Sequence, residues 1–371
     1  MKKIFLIVAF AGILTSCTKS NYTISGEIQG FEDGTMVYLN TIGDNELVKK
    51  DSTEIKENVF QFKGNTEDIE YAFIQIGNSE GQSPFNIPMI LESGEIKITA
   101  DKQAPSQTKV TGTKNNEDLN KYNEMAASYT KKIQEFQRAN DAKFKEASEK
   151  NDSQTVQQLL DQNDALRKEM VDATSQFIDN HKDSYVSLLL LNQYGEEFGS
   201  ENYATKYNNL ALTIKQTKLG KEIAQELKNL EATSIGQKAP DFTAKSPEGA
   251  DVSLYQNLGK GTIIDFWASW CGPCRIENPN VVKLYNQYRD KGLQIIGVSL
   301  DKDADKWKKA IADDQLSWIH LSHLKMWDDP IAKQYNIRAI PATLILDQNG
   351  VIVAKNLRGE ELESKIAELL K

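Results

Sequence analysis

Histidine and cysteine are scarce in this chain, three of each among 371 residues. So few thiols cannot build a disulfide scaffold, and the 39% of hydrophobic residues must supply the cores instead. Basic runs are missing as well, and the net charge is −9. An acidic chain of this kind argues against nucleic acid or anionic lipid as a partner. Apolar stretches of membrane length are absent too. Ile4 to Leu14 is too short to span a bilayer, and so is Tyr185-Val186-Ser187-Leu188-Leu189-Leu190-Leu191. The length nevertheless exceeds one ordinary domain and suggests two or three.

The apolar stretch at the start follows Lys2-Lys3 and has the length of a signal-peptide core. It ends in Leu14-Thr15-Ser16-Cys17, small residues before a cysteine, which resembles a bacterial lipobox. Residues 1–16 then read as a lipoprotein signal peptide, and Cys17 as the lipidated first residue of the mature chain. An ordinary signal peptide with an incidental cysteine is the alternative. An acylated Cys17 also removes the odd thiol that remains if Cys271 and Cys274 pair. The expected location is the cell envelope or periplasm, with the protein anchored to a membrane rather than crossing it.

Residues 17–112 read as a β-sandwich or barrel. Short alternating runs such as Tyr22-Thr23-Ile24-Ser25-Gly26-Glu27-Ile28, Val59-Phe60-Gln61-Phe62 and Tyr71-Ala72-Phe73-Ile74-Gln75-Ile76 recur between turn signals. Over 113–234 the period becomes helical. Leu119, Tyr122, Ala126, Tyr129, Ile133 and Phe136 share one face, and Val156, Leu159, Leu166, Met170, Ala173 and Phe177 share another. Two long helices folded back on each other fit this better than a coiled-coil dimer, because the apolar face is interrupted and rich in aromatics. Periodicity is lost at Ser234-Ile235-Gly236, and an α/β pattern follows over 235–371.

The chemistry lies in Thr262-Ile263-Ile264-Asp265-Phe266-Trp267-Ala268-Ser269-Trp270-Cys271-Gly272-Pro273-Cys274. An apolar strand hands over to a helix at the two thiols. The first N–H groups of a helix are unpaired and its dipole is positive there, so a thiolate is favoured, and thiolate is the attacking species in disulfide exchange. Pro273 is tolerated in a first turn, where its missing N–H has no partner to lose. A structural disulfide or half of a zinc site competes with this reading. His320 and His323 are the only further zinc-ligand candidates at suitable spacing, but zinc modules place cysteine pairs on short knuckles rather than after a buried strand. Asp265 sits on that strand, and a carboxylate buried there is costly unless its pKa rises, which suits it to moving a proton to or from a thiol.

Asp265-Phe266-Trp267-Ala268 with Trp270-Cys271-Gly272-Pro273-Cys274, preceded by Gly236-Gln237-Lys238-Ala239-Pro240-Asp241-Phe242, resembles the TlpA/ResA type of thiol–disulfide oxidoreductase, within the thioredoxin superfamily. The N-terminal β-pattern resembles the β-domain that precedes such domains in envelope lipoproteins of Gram-negative bacteria. The implied architecture is multidomain: an all-β domain, a helical middle and a C-terminal α/β thioredoxin-like domain. The stretch 303–322 reads as an added α-β unit of the kind membrane-linked relatives carry.

The resemblance also implies roles. Cys271, exposed at the helix start, is the expected attacking thiolate, and Cys274, one turn in, the resolving thiol. Asp265 is the expected proton shuttle for Cys274. Glu277 is linked to thiol acidity, its alternative being a solvated helix glutamate. Ile340-Pro341 matches the family's cis-proline position and is expected to bind substrate with Trp270, Gly272 and Pro273. Pro279 reads as structural, Trp267 as either rim or core, and His320 and His323 as without chemistry. No cofactor or metal is called for. The expected partners are disulfide-containing proteins, with cytochrome c apoprotein suggested by the resemblance, and a membrane thiol donor. Gly-Pro between the cysteines matches reducing thioredoxin and tilts the direction toward reduction. A binding lipoprotein with an accessory dithiol and a thiol peroxidase are the alternatives. The second is weakened because no Pro-x-x-x-Thr-x-x-Cys pattern precedes Cys271.

Overall fold

The computed structural model describes residues 20–43, 46–77 and 84–371. The expected signal peptide, residues 1–16, and the expected lipid-attachment residue Cys17 lie outside the described residues. The chain packs as two compact units, one up to Lys221 and one from Glu222 onward.

In the first unit, eight strands form a sandwich. They are β1 (Tyr22–Gln29), β2 (Met36–Gly43), β3 (Glu46–Glu54), β4 (Val59–Gly64), β5 (Glu70–Ile76), β6 (Phe85–Leu91), β7 (Gly94–Asp101) and β8 (Lys109–Thr111). One sheet has the order β4-β1-β7-β8 and the other β3-β2-β5-β6. Only the β1–β7 pair within these sheets is parallel. The alternation seen in the sequence turns Ile24, Ile28, Leu39, Ile74, Ile96 and Ile98 inward to one shared core. Gly26 interrupts the inward row of β1 because a Cβ there would fall 2.0 Å from the Phe60 ring. β3 is not legible in the sequence. It is an edge strand exposed along much of its length, so burial imposes little alternation on its Glu-Leu-Val-Lys-Lys-Asp-Ser-Thr-Glu run.

The helical segment begins with α1 (Lys114–Glu149) and α2 (Ser153–Asn180), folded back on each other as the periodicity predicts. Asp152 caps α2 by accepting the Thr155 N–H at 3.1 Å. Tyr122 of α1 meets Phe177 of α2 edge to face at 5.4 Å. Asn116 ties α1 to the edge strand β6 like one more ladder rung. Its Oδ1 accepts the Ile90 N–H and its Nδ2 donates to the Ile90 carbonyl, both at 2.8 Å. Then come α3 (Tyr185–Tyr194), α4 (Ser200–Asn209), α5 (Leu212–Lys215) and α6 (Lys218–Ala232).

The second unit holds a hairpin of β9 (Thr243–Lys245) and β10 (Asp251–Ser253), then β11 (Gly261–Trp267), α7 (Gly272–Tyr288), β12 (Leu293–Ser299), α8 (Ala304–Asp313), β13 (Ile319–Leu321), α9 (Pro330–Gln334), β14 (Ala342–Asp347), β15 (Ile352–Lys355) and α10 (Gly359–Leu369). The five-stranded sheet runs β13-β12-β11-β14-β15. β11, β12 and β13 are mutually parallel, while β14 and β15 run antiparallel to their neighbours. The added unit α8–β13 extends the sheet at one edge. Ile263, Trp267 and Ile345 face a core shared with α7, α8 and α10, whereas Ile264, Phe266, Leu344 and Leu346 face Phe242, Leu254 and Tyr335. This is the α/β domain of mixed strand direction that the sequence predicts.

His320 of β13 is buried between Trp267 and Trp318, ring centroids 5.5 and 5.6 Å away. Burial pushes its pKa down to about 4. Below the ordinary histidine value near 6.5 the unfolded chain takes a proton that the folded chain refuses. Its stabilising contribution is therefore complete above pH 6.5 and is lost progressively toward pH 4, by up to ~3 kcal/mol. Urea unfolding of His320→Phe at pH 4.5, 5.5 and 7 is expected to show less acid destabilisation than the native chain. Parallel pH profiles would remove His320 as the cause.

Candidate active site

Every residue of β11 is buried, and the strand delivers Ala268 into the turn that carries the thiols. Cys271 is the N-cap of α7, its Sγ accepting the Cys274 N–H at 3.2 Å, and Pro273 occupies the first turn. The two sulfurs are bonded to each other at 2.02 Å. One expectation needs correction: Cys271 is not exposed. It is 5% accessible and belongs, with Cys274, to the core cluster against which Ile340 packs. The sulfur bonded to Cys274 turns inward, and what faces solvent is Gly272 and Pro273.

The turn is pinned from beneath by Asp301, just past the end of β12. Its buried carboxylate accepts the Ser269 N–H at 2.9 Å, the Ser299 hydroxyl at 2.7 Å and the Ser269 hydroxyl at 2.5 Å. Arg275 in the first turns of α7 donates to the Ser269 carbonyl at 3.2 Å and grips Asp314, which also accepts from Asn278. Nothing in the linear sequence singled out Asp301, Asp314 or Arg275. The available signal was an Asp at the carboxyl end of a central parallel strand. Asp301→Ala would strand several buried donors at once, and is expected to destabilise the oxidised protein by about 2–4 kcal/mol in urea titrations, Asp301→Asn by less. Equal stability of all three proteins would show that the turn does not depend on Asp301.

Behind the dithiol, Asp265 lies on the face of β11 turned toward α7, in the same row as Ile263 and Trp267. Burial, then the negative charge of Glu277, raise its pKa to about 7. Glu277 accepts from Asn280 at 3.1 Å through Oε2, while Oε1 is buried without a hydrogen-bond partner. It borders a cleft of about 200 Å³ between α7 and α10, also lined by Leu284 and Glu363. Thr343 stands opposite Asp265 in the β11–β14 register, and its hydroxyl too is buried without a partner. Thr343 escaped sequence reasoning because only strand register places it beside Asp265.

The rim is aromatic. Trp270 is 48% exposed, donates from its indole to the Leu300 carbonyl at 3.3 Å, and meets Trp327, 39% exposed, edge to face at 6.1 Å. Ile340-Pro341 is a cis peptide bond immediately before β14, whose Ala342 pairs with Phe266, so it sits at the dithiol end of the sheet. Trp267 is core, not rim. Trp327 was missed, although it is an isolated tryptophan in a polar stretch. It also lines a cleft of about 470 Å³ with Ile337, Arg338 and, from α6, Glu226 and Asn229. His323 is engaged structurally, with Nδ1 3.0 Å from Asp329, which in turn caps α9.

A paired dithiol at a helix N-terminus, on a central strand that also carries a buried acid, defines a redox-active thioredoxin-like domain. Comparison with known proteins agrees. Residues 235–355 match the AhpC/TSA family model, and residues 22–119 match a domain of unknown function (DUF4369). The chain is 36% identical over 137 residues to the thioredoxin-like protein YneN of Bacillus subtilis, covering 35% of this chain and 78% of that one. It is 29% identical over 142 residues to the thiol–disulfide oxidoreductase ResA of Bacillus thuringiensis, covering 38% of this chain and 79% of that one. Among solved structures, the thioredoxin domain of a thiol–disulfide oxidoreductase from Bacteroides vulgatus is 36% identical, covering 37% of this chain and 99% of that one, with a TM-score of 0.36. The chain belongs to the TlpA/ResA-like thiol–disulfide oxidoreductases of the thioredoxin superfamily. It is an oxidoreductase enzyme.

Proposed function

We propose that the protein reduces disulfide bonds in other proteins, outside the cytoplasm, from a lipid tether at Cys17. The observation that carries this reading is the Cys271–Cys274 pair at the start of α7, backed by a buried Asp265 whose pKa lies near 7. In the reduced protein, the Cys271 thiolate attacks one sulfur of a substrate disulfide. A Cys271–substrate bond forms, and the substrate's other sulfur leaves as a thiolate that takes up a proton. Cys274 then gives its proton to the Asp265 carboxylate and attacks the Cys271 sulfur. The substrate's second thiolate departs, and the enzyme is left with the Cys271–Cys274 disulfide. Two electrons have moved to the substrate, and a membrane thiol donor returns the pair to its reduced state. A group with a pKa near 7 can both accept and return a proton at neutral pH, which is why the buried acid suits the second step. Glu277 tunes that acid through its charge and connects it to the α7–α10 cleft.

An extended substrate segment lies across Gly272 and Pro273, between the Trp270 rim and the Ile340-Pro341 backbone. Gly-Pro between the cysteines favours the reducing direction. The family resemblance suggests cytochrome c apoprotein as one substrate. Residues 17–112 and 113–234 serve as the domains that hold the redox domain away from the membrane or present substrate to it. Reduced protein is expected to precipitate insulin through reduction of its interchain disulfides, and Cys271→Ser to do so no faster than the thiol donor alone. Activity surviving in Cys271→Ser would exclude this function.

A further inference from the structure

The cleft beside the aromatic rim takes no part in the chemistry at the dithiol. It encloses about 470 Å³, room enough for a bound side chain and its neighbours. α6 supplies one wall. Glu222, Gln225, Glu226 and Asn229 recur at steps of three and four residues, so they share one face of that helix. All four belong to the second unit, as does the rest of the cleft. The facing wall is α9 with the loop that follows it. The two walls are fastened together. Asn229 Nδ2 donates to the Lys333 carbonyl at 2.9 Å, and Glu226 forms an ion pair with Arg338.

Two routes lead from the cleft to the dithiol. Ile337 and Arg338 run through Ala339 into the cis peptide Ile340-Pro341. Trp327 lines the cleft and also meets Trp270, the residue before Cys271. A polypeptide that lies along the Ile340 backbone and passes the Trp270 rim therefore meets the cleft next. The lining suits an apolar side chain. Arg338 is engaged by Glu226 and Lys333 by Asp328, so both cations are already neutralised, and Glu222 adds a charge that repels an anion. Trp327 offers exposed aromatic surface, and Ile337 is half-buried against the domain core.

We infer that this cleft is a specificity subsite, which receives an apolar side chain that a substrate protein carries a few residues from its reactive cysteine. The inference rests on the reductase reading of the dithiol. α6 lies outside residues 235–355, the stretch that matches the family model, so one wall of the subsite is this chain's own addition to the shared domain.

The test uses peptides whose one cysteine is joined to thionitrobenzoate as a mixed disulfide. Leucine or alanine is placed in turn at each position near that cysteine. The protein is the full mature chain with Cys17→Ser, so that Cys271 and Cys274 are its only thiols. Reduced Cys271 attacks the peptide sulfur and expels the coloured thionitrobenzoate thiolate, the better leaving group. Cys274 then forms the enzyme disulfide and frees the peptide thiol. With enzyme in excess, leucine at the best position is expected to raise the second-order rate constant about tenfold over alanine. Gln225→Trp adds bulk at an exposed position of the α6 wall and should abolish this preference. Glu222→Trp repeats the block one helical turn earlier. Lys228→Trp, exposed on the same helix but outside the cleft, should retain the preference. Only the leucine-to-alanine ratio within each protein is read, so a general change in activity cancels. A missing preference, one that persists in the blocked variants, or one that Lys228→Trp loses equally would overturn the inference and leave the reductase reading intact. If no peptide releases thionitrobenzoate faster than it does with Cys271→Ser, the reductase reading fails and the inference with it.

Discussion

Cys274→Ser is expected to turn the protein from a catalyst into a trap. With Cys271 intact, attack on a substrate disulfide still occurs, but the thiol that would release the product is gone. Reduced Cys274→Ser protein mixed with a disulfide-containing substrate should therefore accumulate ~1 equivalent of mixed disulfide, visible as a higher-mass band without reductant and collapsed by dithiothreitol. Turnover in the insulin assay should fall to the background rate. Cys271→Ser should give no adduct and no turnover, because the attacking role is assigned to the N-cap thiol and Cys274 lies one helical turn further in. The asymmetry is the informative part. Adducts on Cys274 in preference to Cys271 would reverse the assigned roles, and undiminished turnover by Cys274→Ser would mean that a single thiol suffices.

Asp265→Asn is expected to stabilise the oxidised protein strongly, and only where the native carboxyl is ionised. The carboxyl titrates near 7 in the fold against an ordinary value of 3.8. Below 3.8 it is protonated whether the chain is folded or not, and its charge contributes nothing to stability. As pH rises toward 7 the unfolded chain gives up the proton that the folded chain keeps, so the carboxyl's relative stabilisation is lost. Above 7 the folded chain carries a buried carboxylate at full cost. Three pH units at 1.36 kcal/mol each make that cost about 4 kcal/mol. Urea titrations should show Asp265→Asn more stable than native by several kcal/mol at pH 8 and by little at pH 3.5. The variant should also resolve mixed disulfides more slowly near pH 7, since the acceptor for the Cys274 proton is gone. A stability gain of the same size at both pH values would show that Asp265 is not buried as a titrating acid.

The two experiments address features that differ in how they are written in the chain. The dithiol and Asp265 lie in a contiguous apolar run, where strand, turn and helix start can be read in order, so the sequence made them visible. Ile340-Pro341, an unremarkable proline opening a strand, was singled out by the family resemblance alone. Periodicity also revealed the helical hairpin and most of the sandwich, because burial of one face forces the pattern. β3 stayed hidden because an exposed edge strand is under no such constraint. Asp301 and Thr343 stayed hidden for another reason. Asp301 reaches Ser269 from just past the end of the neighbouring strand β12, and Thr343 meets Asp265 through antiparallel register, neither of which is a local property. The burial of Cys271 was misjudged on the same ground. A helix N-cap is ordinarily exposed, but here the sulfur turns into the core to bond with Cys274. Trp327 joins Trp270 across the end of the sheet, and only the fold makes the pair a rim.

The central claim, that this dithiol is built to donate electrons, is tested most directly by its reduction potential, read from the Cys271–Cys274 redox state across a series of glutathione or dithiothreitol buffers. With Gly272-Pro273 between the sulfurs and a proton acceptor near pH 7 behind them, a value close to that of thioredoxin, about −270 mV, is expected. A value near about −120 mV, where the strong disulfide oxidants lie, would contradict the reductive assignment and make the protein a donor of disulfides instead.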